Sequence, residues 1–539
     1  MLTALASGQI ASRIWRRDPA VFVGSSAGAP VLDAISHRLG WLDAPAMGAA
    51  HAEELAAFAQ GVRQEGLTNV ILLGMGGSSL CAEVLRDVPA DRTNPCTLTV
   101  LDTTDERAIR AVTEGLQPEQ ALFLVASKSG STLEVTSLER HFWRVMVDGV
   151  GPSEAGRHFV AITDPGTVLE SHALEHKYRQ VFVNPADIGG RYSALSFFGL
   201  VPAALVGLDV TALGRSAERM AVACHSDTAD NPGLALGAFM AEHAGARRDK
   251  LTVLLPDELA PLGGWIEQLV AESTGKEGRG ILPVVGEPLG RPSEYGPDRA
   301  FVVVTTDTSS AVNTLARELE KAGQPVFRIA TITRELGGEF LRWEFATAVA
   351  GAALALNPFD EPNVREAKLR TQAQLDARAA TGAFRMDPPF ERGDGYSRRE
   401  HRPDEQNAHT RRRYLALLDY LPADPHRVAL VDRLRGAIRR RLGLATTHGI
   451  GPRYLHSTGQ YHKGGPNSGI FVLLTSADSS ATPVPETGYT FSTLKQAQAI
   501  GDFDALVANG REVVHYHLDD PTADFSATLE RLLAQFDQR

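Results

Sequence analysis

Residues 127–132, SKSGST, combine residue types that could bind a phosphate group. They follow the apolar run ALFLVA and precede a helix-like segment, and a strand–turn–helix junction offers free backbone N–H groups and the positive end of a helix dipole. A hydroxyl here could simply cap the helix, but one cap needs one hydroxyl and this stretch carries four. We therefore predict a phosphate site with the ligands Ser127, Lys128, Ser129 and Thr132.

A glycine-rich turn, GMGGSSL, occupies residues 74–80 after the apolar run NVILLG. It matches the dinucleotide-binding pattern GxGxxG only loosely, because Ser79 stands at the last glycine position. Asp102, at the end of the next apolar run, could bind a ribose or cap the following helix. We favour a second phosphate or sugar loop with Ser78 as a donor, since ligands of open α/β sheets collect beyond the carboxyl ends of the strands.

The segment IGGRYS, residues 188–193, places an arginine directly after two glycines at the start of an apolar run. Glycine lets the backbone approach a ligand closely, which makes Gly190 a candidate substrate contact. Arg191 could form a surface ion pair, but its place between the glycines and an apolar helix favours a site residue.

The stretch QLVAESTGKEGRG, residues 268–280, contains a fragment of a nucleotide-binding loop. The full pattern GxxxxGK[ST] fails at both ends, where Val270 and Glu277 replace the glycine and the hydroxyl residue. Gln268 and Glu272 are four residues apart and therefore lie on one face of the predicted helix. Glu272 could act as a general base near the end of a buried helix, or it could be an ordinary solvated glutamate.

The C-terminal part offers His456 and His462 around a glycine-rich turn, and Lys495 on an otherwise apolar helix. No third ligand has metal-binding spacing to the two histidines, so we predict no metal and no cofactor. The alternative for Lys495 is a surface lysine whose stem covers the helix.

These candidates need elements that position them, and the apolar runs provide a pattern. Runs of four to seven apolar residues alternate with longer amphipathic segments, which predicts an α/β fold with mainly parallel sheets in two doubly wound domains. The predicted parts are a helical segment 1–65, a first domain 66–205, a helical connection 206–248, and a second domain 249–539 that the C-terminal runs complete.

Composition limits the possible partners. The 539 residues carry a net charge of −11, which argues against nucleic-acid and anionic-membrane binding. Three cysteines without a CxxC pair fit reduced thiols, and neither a signal peptide nor an apolar run of membrane-spanning length is recognisable. We therefore expect a cytoplasmic protein.

Together these motifs resemble the glucose-6-phosphate isomerase family, whose members contain two flavodoxin-like sugar isomerase (SIS) domains. The order GGS, SKSGST, GGRYS, QxxxESxGK and a late lysine carries the resemblance over roughly residues 65–515. The chain looks closest to the isomerase half of bacterial transaldolase fusions, although no transaldolase barrel fits ahead of residue 65. The resemblance implies a homodimer that interconverts glucose 6-phosphate and fructose 6-phosphate through an enediolate, without a cofactor.

The resemblance also implies a role for each candidate. Glu272 moves the proton between C1 and C2, and Arg191 stabilises the enediolate. Ser78 and the hydroxyls of residues 127–132 hold the sugar phosphate. Lys495 lies near the ring oxygen and assists ring opening.

One departure from the family concerns the ring-opening histidine, which many members carry in a QHAF-like segment and contribute across the dimer interface. The comparable residues here, 337–348, contain Trp343 and Glu344 instead. We expect His456 or His462 to take over, or the ring to open without a histidine.

Two other functions stay open at this point. One is an isomerase that also converts mannose 6-phosphate. The other is a non-catalytic SIS protein that binds sugar phosphates, which would need SKSGST but not Glu272, Arg191 and Lys495 together.

Overall fold

A computed structural model describes residues 1–306, 311–403, 413–422, 424–478 and 480–537 of the chain. Its strands are β1 (Asn69–Gly74), β2 (Thr97–Leu101), β3 (Ala121–Ala126), β4 (Phe159–Thr163), β5 (Gln180–Val183), β6 (Lys250–Leu254), β7 (Leu282–Val284), β8 (Arg299–Thr305), β9 (Val326–Ala330), β10 (Glu391–Arg392), β11 (Tyr396–His401), β12 (Tyr414–Asp419), β13 (Ala445–Ile450), β14 (Gly469–Ser476) and β15 (Glu512–Leu518).

The helices lie between most of these strands and before the first of them. They are α1 (Leu2–Ser7), α2 (Ile10–Trp15), α3 (Ala20–Val23), α4 (Ala29–Ser36), α5 (Met47–Ala50), α6 (Ala52–Gln64), α7 (Leu80–Asp87), α8 (Glu106–Glu114), α9 (Leu133–Val150), α10 (Val168–Glu175), α11 (Phe197–Leu205), α12 (Val210–Ala223), α13 (Pro232–Gly245), α14 (Leu262–Thr274), α15 (Ala311–Lys321), α16 (Leu336–Ala353), α17 (Pro362–Thr381), α18 (Pro425–Leu442), α19 (Gly459–Gly464), α20 (Phe491–Ala508) and α21 (Ala523–Asp537).

The first sheet contains β1 to β5 in the order β2-β1-β3-β4-β5, and all neighbouring strands are parallel. Its central strands β1, β3 and β4 are apolar and almost wholly buried, which is typical of a parallel sheet that helices cover on both faces. Because the strands run in one direction, the loops after β1, β3 and β5 all lie at the same edge of the sheet. These loops contain the predicted phosphate, sugar and arginine motifs.

The second sheet has the order β7-β6-β8-β9 and is also entirely parallel. One continuous apolar core joins it to the first sheet, with Leu72 on β1 and Val253 on β6 in the same cluster. Helix α16 lies in this shared core and packs against α12, α13 and α14. The predicted α/β fold with mainly parallel sheets is confirmed.

A third sheet, of six strands in the order β10-β11-β15-β14-β12-β13, differs from the expectation for the C-terminal part. The runs 469–475 and 512–518 were expected to complete the second domain, but they form the central strands β14 and β15 of this separate sheet. Strands β15, β14, β12 and β13 run parallel, whereas β11 pairs antiparallel with β15 and with the edge strand β10. An apolar run predicts a buried strand but carries no information about which strands will pair with it.

Helices α1 to α6 occupy most of the predicted N-terminal segment, and α12 and α13 lie in the predicted connection. The limits of the two predicted domains, 66–205 and 249–539, remain predictions. For function, the important consequence of the fold is that the turn after β1 of the first sheet and the segment after β13 of the third sheet both contact Gln268 on α14.

Candidate active site

The loop after β1 packs its backbone directly against two other segments. A Cβ atom on Gly77 would lie 1.9 Å from the carbonyl oxygen of Gly190, so this approach requires glycine. Gly76 has φ of +56°, and a Cβ there would lie 2.7 Å from Gln268 Nε2. Ser78 lies in the same turn and is 7% exposed. The turn therefore joins the arginine segment to helix α14.

Asp102, the alternative ribose ligand, is already engaged by other protein groups. Ser79 Oγ donates a hydrogen bond to its Oδ2 at 3.1 Å, and Arg453 Nε lies 3.2 Å from the same oxygen. A dinucleotide ribose would have to displace both contacts. This geometry favours a structural role for Asp102.

The predicted phosphate loop connects β3 to the N-terminus of the 18-residue helix α9. Gly130 has φ of +66°, which allows the tight turn. Thr132 is the N-cap residue, but its side chain makes no capping hydrogen bond, and its Oγ1 lies 3.1 Å from Ser127 Oγ instead. Ser131 Oγ likewise donates to Ser129 Oγ at 3.3 Å. The hydroxyls thus bond to one another, and no side-chain cap takes the first N–H groups of the helix.

Lys128 connects this loop to the loops that follow β4 and β5. Its ammonium group forms an ion pair with Asp164 and donates to the carbonyl oxygen of Ala186 at 3.0 Å. Burial lowers the pKa of Lys128, and Asp164 offsets this effect only in part. Lys128 therefore adds positive charge beside the phosphate loop while holding three loops together.

Arg191 is anchored by partners around its whole guanidinium group, and its side chain is 4% exposed. Its donors are Nε to Ser273 Oγ at 2.8 Å, Nη2 to the carbonyl oxygens of Pro358 at 2.8 Å and Asp360 at 2.9 Å, and Nη1 to Glu361 Oε2 at 3.0 Å. A guanidinium stays protonated in proteins, so this anchoring gives a permanent positive charge with a defined direction. The receiving segment, residues 357–361, matched no motif that we predicted from the sequence.

Glu272 lies next to that guanidinium, in the last turn of α14. Its Oε1 is 3.5 Å from Arg191 Nη1, and Gln268 Nε2 donates to its Oε2 at 3.1 Å. Burial raises the pKa of Glu272, Arg191 opposes this shift in part, and the like charge of Glu361 adds to it. A buried carboxylate of raised basicity beside an anchored cation is suited to take a proton and return it. The structure therefore brings Glu272, Gln268 and Arg191 together.

Of the two candidate histidines, His456 lies at this cleft. Its carbonyl oxygen accepts a hydrogen bond from Gln268 Nε2 at 2.8 Å, and its Nε2 lies 2.9 Å from Glu134 Oε1. His462 is buried in the third-sheet region, with Nδ1 2.9 Å from the hydroxyl of Tyr414. Burial holds the pKa of His462 well below its usual value, which indicates a neutral structural residue.

Glu134, in the first turn of α9, is a site residue that the sequence did not reveal. It is 4% exposed, and burial alone would raise its pKa, yet the charges of His456 and Lys368 hold that pKa below its ordinary value. The contact with Nε2 fixes the orientation of the imidazole, so Glu134 and His456 form a pair at the site. A glutamate in the first turn is also typical of any helix start, and this hides its role in the sequence.

Lys495, which the resemblance placed near the ring oxygen, is enclosed. It is 2% exposed, and its Nζ donates to Asp105 Oδ2 at 2.9 Å and Asp478 Oδ1 at 2.5 Å. This geometry makes Lys495 a buried ion-pair partner that links two loops. Lys368 on α17 is exposed, and its positive charge contributes to the lowered pKa of Glu134.

Residues 337–348, where the family pattern places a histidine, belong to helix α16 in the shared core. Trp343 and Glu344 are both 0% exposed. Burial raises the pKa of Glu344 well above its usual value. This segment therefore packs in the core and supplies no acid for ring opening.

The available chemistry is that of carboxylates, a guanidinium, an imidazole and hydroxyls. Among the residues that the structure describes, no group of three or more His, Cys, Asp or Glu side chains is arranged to hold a metal ion. Cys81, Cys96 and Cys224 are buried free thiols. Within the same described ranges, no helix is both long enough and apolar enough to cross a membrane.

Residues 51–279 match the family model described as phosphoglucose isomerase. The chain is 28% identical to a glucose-6-phosphate isomerase of Rubrobacter xylanophilus over 375 residues, which cover 60% of this chain and 86% of that one. A glucose-6-phosphate isomerase of Campylobacter jejuni is 32% identical over 219 residues, 40% of this chain and 52% of the relative. The match thus spans most of the first relative and about half of the second.

Two solved structures share the fold. A hypothetical protein from Thermus thermophilus has a TM-score of 0.58 at 22% identity, over 67% of this chain and 94% of that one. A glucose-6-phosphate isomerase from Chlamydia trachomatis has a TM-score of 0.51 at 19% identity, over 69% of this chain and 78% of that one. At these identities the likeness concerns the fold alone.

Proposed function

We propose that this chain, whose residues 51–279 match the phosphoglucose isomerase family model, converts glucose 6-phosphate reversibly to fructose 6-phosphate. The single observation that carries the proposal is the pair formed by Glu272 and Arg191. A buried base lies 3.5 Å from an anchored cation, in a cleft that also adjoins a hydroxyl-rich loop. These are the groups that an aldose–ketose isomerisation through an enediolate requires.

Proton transfer is the step for which we assign Glu272. Its carboxylate takes the proton from C2 of the open-chain aldose and returns it at C1, so no proton is gained or lost overall. The negative charge that develops on the two oxygens meets the guanidinium of Arg191, which is already desolvated and oriented. Neither a redox cofactor nor a metal takes part in this scheme.

Substrate binding is assigned to the loops of the first sheet. The phosphate of the sugar would accept hydrogen bonds from Ser127, Ser129 and Thr132 and from the first N–H groups of α9. Ser78 and the backbone of Gly190 lie toward the sugar in the turn beside α14. This arrangement supports a sugar phosphate as the substrate class, because the hydroxyl loop leads into α9 and a chain of hydrogen bonds from Glu134 on α9 through His456 and Gln268 reaches Glu272.

Ring opening is assigned to His456 with Glu134. The imidazole donates a proton to the ring oxygen, and solvent water takes the proton of the anomeric hydroxyl and returns one to the imidazole, so the ring opens without net proton uptake. Glu134 orients the imidazole through the 2.9 Å contact to Nε2, which leaves Nδ1 as the donor toward the sugar. Lys368, rather than the enclosed Lys495, is the lysine that we assign near this end of the substrate.

The test replaces the base and keeps its shape. Glu272→Gln should leave the fold and sugar-phosphate binding intact and lower kcat in a dehydrogenase-coupled assay by about 10²- to 10⁴-fold, the usual contribution of a general base. Glu277→Gln, in the exposed loop that follows, is the matched control and should keep full activity. Near-normal turnover by Glu272→Gln would refute the assignment.

The same assay separates the alternatives. A wild-type chain that binds fructose 6-phosphate without turnover would be the non-catalytic sugar-phosphate protein. Turnover of mannose 6-phosphate beside glucose 6-phosphate would identify the broader isomerase. Turnover of glucose 6-phosphate and fructose 6-phosphate alone is the result that we expect.

A further inference from the structure

Helix α20 carries three polar side chains on one buried face, at the spacing i, i+3 and i+7. Lys495, Gln498 and Asp502 are 2%, 3% and 1% exposed. Such burial is costly unless each polar group has a partner. Lys495 pairs with two carboxylates, and Asp502 Oδ1 lies 2.6 Å from Lys463 Nζ, so these two link elements of the fold. Gln498 differs because its partner is the proposed ring-opening pair.

The amide of Gln498 lies between Glu134 and Thr104. Its Nε2 donates to Glu134 Oε1 at 2.7 Å, and its Oε1 accepts from Thr104 Oγ1 at 2.9 Å. The ionised carboxylate of Glu134 can only accept, so the amide nitrogen must face it, and the amide oxygen then accepts from the Thr104 hydroxyl. Thr104 therefore holds the other end of the amide in place.

Glu134 Oε1 is shared by two contacts, one from Gln498 and one from His456 Nε2 at 2.9 Å. A neutral donor on a carboxylate oxygen favours the ionised form of the carboxylate. It also directs the remaining acceptor capacity of that oxygen toward the imidazole. Without it, the orientation of Glu134 toward the imidazole would no longer be fixed from the side of α20.

We propose that Gln498 is a positioning residue, which holds Glu134 in the orientation and ionised state in which its Oε1 meets His456 Nε2 for ring opening. The inference rests on the proposed isomerase function and extends it to a residue of the third-sheet region. It also gives the late helix, which the sequence highlighted for Lys495, a direct connection to catalysis.

Other charged groups also act on this pair. Lys368 on α17 stabilises the ionised form of Glu134, and His456 lowers the pKa of Glu272 on α14. The negative charge of Glu134 in turn contributes to the raised pKa of the buried Tyr420. A pH profile of the whole reaction therefore contains contributions besides that of Gln498, and the test must isolate ring opening.

Two substrates achieve this separation. Glucose 6-phosphate must be opened before isomerisation, whereas 5-deoxyfructose 6-phosphate lacks the hydroxyl that closes the furanose ring and is already open. Gln498→Met removes the amide donor at similar length. Gln496→Met on the same helix is the matched control, because its amide lies 3.5 Å from Ser492 Oγ and has no contact with Glu134.

In Gln498→Met we expect kcat with glucose 6-phosphate to fall by about tenfold or more, within the 10²- to 10⁴-fold that a general acid supplies. KM and turnover of the open-chain substrate should change by less than about twofold, as a positioning role predicts. The pH profile with glucose 6-phosphate should move to higher pH, since protons bind more readily to the pair once the neutral donor is gone. Thr104→Val should produce the same pattern at smaller size.

The outcomes distinguish this inference from the function on which it rests. Equal losses with both substrates, or an unchanged profile with glucose 6-phosphate, would overturn the positioning role and leave the isomerase assignment standing. If the wild-type chain turns over neither substrate, the isomerase proposal fails and this inference fails with it. If Gln498→Met does not fold, the same comparison of the two substrates is made with Thr104→Val, which removes the hydrogen bond to the amide oxygen of Gln498.

Discussion

Removal of the charge of Glu361 tests how the site sets the basicity of Glu272. Both carboxylates contact Arg191 Nη1, at 3.0 Å and 3.5 Å, so their nearest oxygens are at most about 6.5 Å apart. At an effective dielectric constant of about 20, two unit charges at that separation interact by about 2.5 kcal/mol, close to 2 pH units. The Glu361 side chain is 42% exposed, and solvent screening reduces this to about 1 unit.

The direction of the effect follows from the sign of the charge. Glu361 raises the pKa of Glu272, so Glu361→Gln lowers it, and the base becomes ionised at lower pH. The acidic limb of the kcat/KM profile should therefore move down by about 1 pH unit. The glutamine keeps a carbonyl oxygen that can accept from Arg191, so the guanidinium stays anchored.

The assay is a pH series of kcat/KM with fructose 6-phosphate as the substrate. Glu366→Gln is the control, because Glu366 lies on the same helix α17 but pairs with Arg370 and Asn509. An acidic limb that stays in place, or that moves to higher pH in Glu361→Gln, would refute the account of Glu272.

Two further predictions concern the candidate lysines and histidines, whose positions in the structure decide between the roles expected from the sequence. Lys495→Met leaves two buried carboxylates without their cation and should lower the free energy of unfolding by about 3 kcal/mol in urea titrations. Lys368→Met, by contrast, should lower kcat with little change in the free energy of unfolding. His462→Asn should retain nearly full activity, and His456→Asn should lose turnover of glucose 6-phosphate; the reverse pattern in the coupled assay would exchange their roles.

Local chemistry was readable in the sequence wherever one short segment contains both the element and its functional group. SKSGST follows an apolar strand and precedes a helix, and the structure places it in that junction. Gln268 and Glu272 lie four residues apart on a helix, and the structure joins them by a hydrogen bond. In both cases the helical or strand period alone determines which side chains face the same way.

Contacts between distant segments were not readable, because they depend on how the sheets pack. Glu134 and His456 are more than three hundred residues apart, and neither carries a local pattern that names the other. The sequence also did not distinguish the roles of Lys495 and Lys368, because a lysine on an apolar helix can be a ligand or a buried ion-pair partner. The third sheet was missed for the same reason: an apolar run predicts a strand but not its neighbours.

The order of the site residues along the chain determines the order in which they are synthesised. The phosphate loop, Arg191, Glu272 and the segment 357–361 all leave the ribosome before His456 and Gln498, and chains fold from the N-terminal part onward. Under the proposed mechanism, a growing chain therefore contains the residues assigned to hold and deprotonate an open sugar before it contains the histidine assigned to open the ring. In that mechanism ring opening is the last step whose residues are synthesised.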